Sequence, residues 1–167
     1  MKINEFIEVM NSAKNKSLKT EQKQELTKKT LEVKNYLRIK DKKQLVQDIV
    51  DECVLYEGGV FKFDEIEKYV CFTMRTLAAY TNLELSEDLE SDYDMLCEAS
   101  LLNVAIESFR GEYDNVKVLL QMKCDYILSG NTIEAQIGRF FDGTMEKIND
   151  VVDMLAKKVD SVNIDDI

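Results

Sequence analysis

"YVCFTMRTLAAY", residues 69 to 80, is apolar on nearly every side of a helical wheel, and only Thr73, Arg75 and Thr76 interrupt it. A helix without a polar face belongs at the centre of a bundle. This stretch therefore forms the core, and the fold it predicts is all-α. Just upstream, Asp64 and Glu67 make an Asp-x-x-Glu start that resembles a capping box. Before that comes the one β signal, "VLYEGGVFKF", residues 54 to 63. Gly58-Gly59 can supply the positive φ of a tight turn between two short runs. An irregular loop fits the same residues. A phosphate loop does not, because the longer glycine pattern and the following Lys–Ser/Thr are missing.

Working outward, Leu45, Val46, Ile49, Val50 and Cys53 repeat at helical spacing, with Asp41 as the expected cap. Ile3, Phe6, Ile7 and Met10 share one face of a helix over Ile3 to Ala13. Residues 14 to 32 are poor in apolar side chains. They read as a loose helix capped at Thr20, or as a segment that orders on binding. Downstream, an acidic helix starts at Ser86. Leu101 to Phe109 continues it or forms a second helix that Gly111 ends. Tyr113, Val116, Leu120, Cys124 and Ile127 make one face of a helix to Leu128, with Gly130 as its cap. Asn131 and Glu134 can box a last helix that runs to about Val159. The expected fold is thus a compact multi-helix bundle with one short β-hairpin or loop insertion and a long C-terminal helix. Residues 1–32 form a basic, partly mobile helical segment, 33–159 an acidic helical domain, and 160–167 a frayed tail.

Composition agrees with a helical reading. The chain has no proline and only six glycines, too few for the turns of a strand-rich fold. It also has no histidine, which removes the usual general base and any Ser–His or Cys–His nucleophile. Carboxylate or tyrosine catalysis remains open, but no pair of residues stands out for it. The four cysteines are scattered. Zinc would need all four thiolates to converge from distant helices, whereas Cys53, Cys97 and Cys124 each fall on an apolar face and read as small buried hydrophobes. No catalytic, cofactor or metal residues are assigned. "MKINEFIEVMNSAKNK" lacks an apolar signal core, and no run approaches the length of a membrane span.

The net charge of −10 is unevenly spread. Residues 1–44 are basic, residues 45–167 strongly acidic, and no Lys or Arg lies between Arg75 and Arg110. Within "LELSEDLESDYDML", residues 83 to 96, six acids fall in eleven positions. On a helix from residue 86, Leu89, Tyr93, Leu96 and Cys97 form an apolar stripe. Glu87, Glu90, Asp94 and Glu98 line the other side and are the candidate face for a basic partner. A plain solvated face explains the same pattern, and acids near a helix start also suit its dipole. Yet like charges four apart repel, and so long a stretch without a compensating cation exceeds what solubility needs. A calcium loop fits poorly, since the central glycine and alternating ligands are absent. Direct nucleic-acid binding by the acidic body is opposed by phosphate repulsion.

A second candidate contact lies in the last helix. Phe141, Ile148, Val151 and Leu155, with Ile137 before them and Thr144 interrupting the run, alternate by four and three as a heptad-like seam. The same face could equally pack on the bundle itself.

"LAAYTNLELSEDLESDYDMLCEASLLNVAIESF" and then "LLQMKCDYILSGNTIEAQIGRFF" resemble a group of small, mostly uncharacterised proteins of tailed bacteriophages and prophages of Gram-positive hosts. The likeness spans roughly residues 33 to 158. It rests on Tyr80-Thr81 before the acidic helix, on Asp92-Tyr93-Asp94-x-Leu96, and on Phe140-Phe141 before the terminal helix. The resemblance implies a non-enzymatic protein of virion assembly, acting at the head–tail or tail stage through protein–protein contacts with phage structural proteins or with itself. It transfers no catalytic or binding residue. The alternative is an acidic inhibitor that mimics nucleic acid and blocks a host defence or DNA-binding protein. A carboxylate-based enzyme comes third. The expected location is the host cytoplasm, with or without incorporation in the virion, and no membrane.

Overall fold

The computed structural model describes residues 1–12, 15 and 17–132. Among these the chain forms seven helices and one hairpin, in the order α1 (Ile3–Asn11), α2 (Thr20–Thr30), α3 (Ile39–Cys53), β1 (Val54–Glu57), β2 (Val60–Phe63), α4 (Glu65–Tyr80), α5 (Leu89–Glu98), α6 (Leu102–Glu107) and α7 (Arg110–Ser129). No described helix is long and apolar enough to cross a membrane.

The helix that decides the sequence reading is the centre of the molecule. Asp64 caps α4, its carboxylate accepting from the N–H groups of Ile66 and Glu67 at 2.9 and 3.1 Å. This satisfies two of the donors that a helix start leaves open. Val70, Cys71, Phe72, Thr73, Met74, Thr76, Leu77 and Tyr80 are then all buried. Helices α3, α5 and α7 pack round them. Tyr69 is the exception: it stands half exposed, edge-on to Tyr93 at 6.1 Å. Arg75 leaves the core toward α3.

Residues on both sides of position 32 share this core. Ile3, Phe6 and Met10 of α1 are buried, as are Thr27 and Leu31 at the end of α2. The strand-like exit from α4 is tied to the same region by three backbone bonds. The N–H of Lys34 donates to Tyr80 O at 2.8 Å, that of Asn82 to Leu31 O at 3.0 Å, and that of Glu84 to Met1 O at 2.9 Å. Buried residues on both sides of position 32 thus belong to one hydrophobic cluster. Residues 17–32 have few apolar side chains, but Leu31 is buried and Leu18 and Leu26 are half-buried, while Lys19, Lys28 and Lys29 stay exposed.

The hairpin is present, with Val54 paired to Phe63 and Glu57 to Val60. Gly58 and Gly59 have φ of +60° and +85°, the positive pair that a two-residue turn of this twist requires. A lone hairpin is marginal. Here the Asn131 side chain, just beyond α7, holds β2 through the N–H and the carbonyl of Phe61, at 2.6 and 2.7 Å.

Several boundaries differ from the sequence reading. Arg38, not Asp41, precedes α3, and Asp41 sits in its first turn. Lys19, not Thr20, is the cap of α2. Asp88, not Ser86, caps α5 by accepting from Ser91 N–H at 3.0 Å. Gly111 lies in the first turn of α7 rather than ending a helix. Gly130 does cap α7, though with a right-handed φ of −66°. Cys97 is exposed, not buried. The long last helix and its tail fall outside the described residues.

Two measurements test this core. Leu77 is fully buried, so Leu77→Ala is expected to destabilise by about 2–5 kcal/mol in chemical denaturation; a loss under about 1 kcal/mol contradicts a central α4. The Thr76 hydroxyl is buried without a hydrogen-bond partner. Replacing it with the isosteric Val removes a desolvated polar group, so Thr76→Val is expected to stabilise by about 1 kcal/mol, and a loss of stability of that size would show that the hydroxyl is satisfied.

Candidate functional site

The clearest concave site is a cleft of about 510 Å³ where the end of α3, the first half of α4 and the approach to α5 meet. Helix α3 delivers Glu52 and Cys53 at its last turn. Helix α4 delivers Glu67, Val70, Cys71 and Arg75, residues spaced three and four apart and so on one side of the helix. The segment before and into α5 adds Glu87, Asp88, Leu89 and Glu90. The cleft has an apolar patch of Val70, Leu89 and the cysteines, and a rim dominated by carboxylates.

One ion pair crosses it. Arg75 forks onto Glu52, with Nε to Oε2 at 3.1 Å and a terminal nitrogen to Oε1 at 2.7 Å. Such bidentate pairing fixes both side chains. Cys71 donates its S–H to the same Glu52 Oε2 at 2.9 Å. Burial pushes the Glu52 carboxyl up, but the bonds from Cys71 and Arg75 outweigh this and hold it below its usual range. The Arg75 guanidinium is raised in turn by its bond to Glu52. The Cys53 sulfur, burial and Glu52 all keep Cys71 protonated, far above the usual thiol range. Cys53 is drawn the other way by the Cys71 S–H beside it, against the effect of burial.

The rest of the rim lacks this compensation. Among the described residues none of Glu67, Glu87, Asp88 and Glu90 has an ion-pair partner. Among those residues, too, no group of three or more Cys, Asp or Glu side chains is arranged to hold a metal.

The structure splits the acidic candidates. Glu87 and Glu90 line the cleft; Asp94 and Glu98 are exposed farther along α5 and do not. Glu87 precedes the helix, so the four do not form one helical row. Asp92 behaves differently again. It is buried, and its carboxylate accepts from the Ser86 N–H at 2.6 Å, anchoring the loop that carries Glu87 and Asp88. Phe141, Ile148, Val151 and Leu155 lie outside the described residues.

Sequence reasoning missed the Glu52–Cys71–Arg75 cluster. The available signal was Arg75 itself, the one charge in an otherwise apolar stretch. It also missed a buried network on the opposite side of the core. There Lys42, only 6% exposed, meets Glu112 at 2.7 Å, and the Tyr80 hydroxyl donates to the same Glu112 oxygen at 2.6 Å. The Lys42 ammonium also sits 4.7 Å over the Tyr36 ring. Tyr80 stacks on Phe109 at 5.1 Å. Burial and the Glu112 carboxylate push the Tyr80 phenol up. Burial also acts to raise Glu112, but Lys42 and Tyr80 overcome it and hold the carboxyl down. This network ties α3, α4 and α7 and is structural.

No protein-family model, curated protein or solved structure matches the chain.

The Lys42–Glu112 pair gives a pH-dependent prediction. Because the folded Glu112 carboxyl lies below its usual range, the pair stabilises above pH 4.5 and fades as pH falls below it. Lys42→Met strands the Glu112 charge, so it is expected to cost about 3 kcal/mol at pH 7. The gap to wild type is expected to narrow as Glu112 is protonated. Urea titrations at pH 7 and pH 3.5 check this, and a gap that widens in acid contradicts it.

Proposed function

We propose that the protein works by contact with another protein, not by catalysis, and that its acidic cleft receives a basic segment of that partner. The observation carrying this reading is the uncompensated rim: Glu67, Glu87, Asp88 and Glu90 around the apolar Val70 and Leu89. A lysine or arginine side chain suits such a site, because its aliphatic stem covers apolar surface while its head meets carboxylates. Asp94 and Glu98, farther along α5, extend the same negative field and steer a basic partner in. The cluster holding Cys71 and Arg75 is fixed by its own hydrogen bonds and serves as the wall.

The setting we propose is virion assembly in a tailed phage. Its support is the resemblance of residues 77–109 and 119–141 to small phage proteins. The partner is then a structural protein of the particle, met in the host cytoplasm, and the apolar seam through Phe141, Ile148, Val151 and Leu155 offers a second, salt-insensitive contact.

The test is binding of the purified protein to each structural protein of the particle in turn, by calorimetry at low and high salt. One complex is expected that weakens with salt. The double charge reversal Glu87→Lys with Glu90→Lys is expected to raise its Kd by about tenfold or more. A complex that ignores both salt and the reversal contradicts the reading, as does the absence of any complex. Capture of a host DNA-binding protein that duplex DNA displaces would replace it with nucleic-acid mimicry.

A further inference from the structure

A groove runs between α3 and α7, in two adjoining hollows of about 310 and 490 Å³ that share Gln47 and Lys123. The first joins Val46 of α3 to Leu119 of α7. The second joins Val50 and Val54 to Ile127 and to Phe61 of the hairpin. The two helices thus run side by side in one direction, and both end at the hairpin. Val46 and Val50 are buried, whereas Leu119 and Ile127 keep part of their surface for another group to cover. Lys43 and Lys123 stand in the same groove, and among the described residues neither has an ion-pair partner. The acid beside them, Asp51, accepts from the Gln47 amide at 2.7 Å.

We propose that this groove is the seat of the chain's own residues 133–144, which turn back after Thr132 and run antiparallel to α3 and α7. The inference does not rest on the docking reading.

Four observations commit the groove to this occupant. The first is where the chain goes. Gly130 caps α7 and lines the groove. The next residue, Asn131, is fastened by its side chain to the N–H and carbonyl of Phe61, itself a groove residue. Residue 133 therefore starts within two residues of the groove's hairpin end, at up to about 3.5 Å each. So short a connection costs little closure entropy, and helices joined this way are commonly antiparallel neighbours. The second is length. From Lys43 to Val54 the α3 side of the groove spans about 16 Å at helical rise, and a helical run over 133–144 has the same span.

The third is pattern. Ile133, Ile137 and Phe140 are spaced by four and three, as on one face of a helix. They supply an apolar ridge of the kind that packs between two helices. The fourth is sign. Residues 133–155 carry five acids and two bases, opposite in balance to Lys43 and Lys123, which favours their approach. Ile148, Val151 and Leu155 come after the run that the groove can hold, so they stay available to the partner proposed above.

The test is nuclear magnetic resonance of the full-length protein, with Ile, Leu and Val methyls and Phe rings observed. Nuclear Overhauser contacts are expected from the Ile137 methyls or the Phe140 ring to the methyls of Val46, Leu119 or Ile127. A sample mixing labelled and unlabelled chains separates contacts within a chain from contacts between chains. Contacts within one chain support the proposal. Contacts found only between chains would give the groove to a second copy and overturn it, as would groove methyls that show no contact with residues 133–144. In the double variant Ile137→Asp with Phe140→Asp, the Leu119 and Ile127 methyl resonances are expected to shift, while those of Val70 and Leu89 at the acidic cleft keep their places. Leu119 and Ile127 resonances that do not move would also contradict the proposal. The wild-type contacts are read without any substitution, so a variant that misfolds does not mask the outcome.

Discussion

A helix with no polar side cannot rest on a surface, and α4 imposes that condition on everything round it. Each large apolar side chain it buries is worth about 1.5–3 kcal/mol relative to exposure, but only if neighbours close on all sides. Helices α3, α5 and α7 cover much of it. The backbone from Tyr80 to Glu84, just past its end, is held by Met1, Leu31 and Lys34. The basic N-terminal helices are therefore part of the enclosure. Buried polar atoms within α4 are mostly provided for: the Thr73 and Tyr113 hydroxyls meet at 3.2 Å.

The same constraint locates the cleft. An enclosed helix can carry a charge only where a neighbour supplies the counter-charge or where water enters. Arg75 has both: Glu52 across the seam, and the opening beside Cys71. Cys71, one turn before it, faces the same way. The chemistry-bearing side chains of α4 therefore converge with the end of α3. The loop that Asp92 anchors brings a further row of acids over them. On the far side of the core, the Lys42–Glu112–Tyr80 network does not open onto this cleft.

Much of the fold was legible because its signals are local. The unbroken apolar run of α4, the Asp64 cap, the Gly58-Gly59 turn and the face of α7 each depend on a few neighbouring residues. What was not legible depends on pairs far apart in the chain. Leu31 and Thr27 sit in a sparse, lysine-rich segment whose pattern predicts weak order, yet tertiary packing buries them. Cys97 falls on an apolar stripe by spacing, but the shift of the helix start from Ser86 to Asp88 and the burial of Asp92 show which side of α5 turns inward. Glu52 and Cys71 are nineteen residues apart, and Lys42 and Glu112 farther still, so no window of sequence shows either pair. The acidic candidates were half resolved for the same reason: Glu87 and Glu90 line the cleft with residues of α3 and α4, while Asp94 and Glu98 are exposed farther along α5.

If α4 organises one core that includes α1 and the end of α2, α1 and α4 should open together. Native-state hydrogen exchange measures this residue by residue. The account predicts that the amides of Phe6 and Met10 exchange with nearly the opening free energy of Met74 and Leu77, within about 1 kcal/mol, because both require global unfolding. Amides of α1 that exchange through a local opening several kcal/mol cheaper, with α4 still protected, would contradict it.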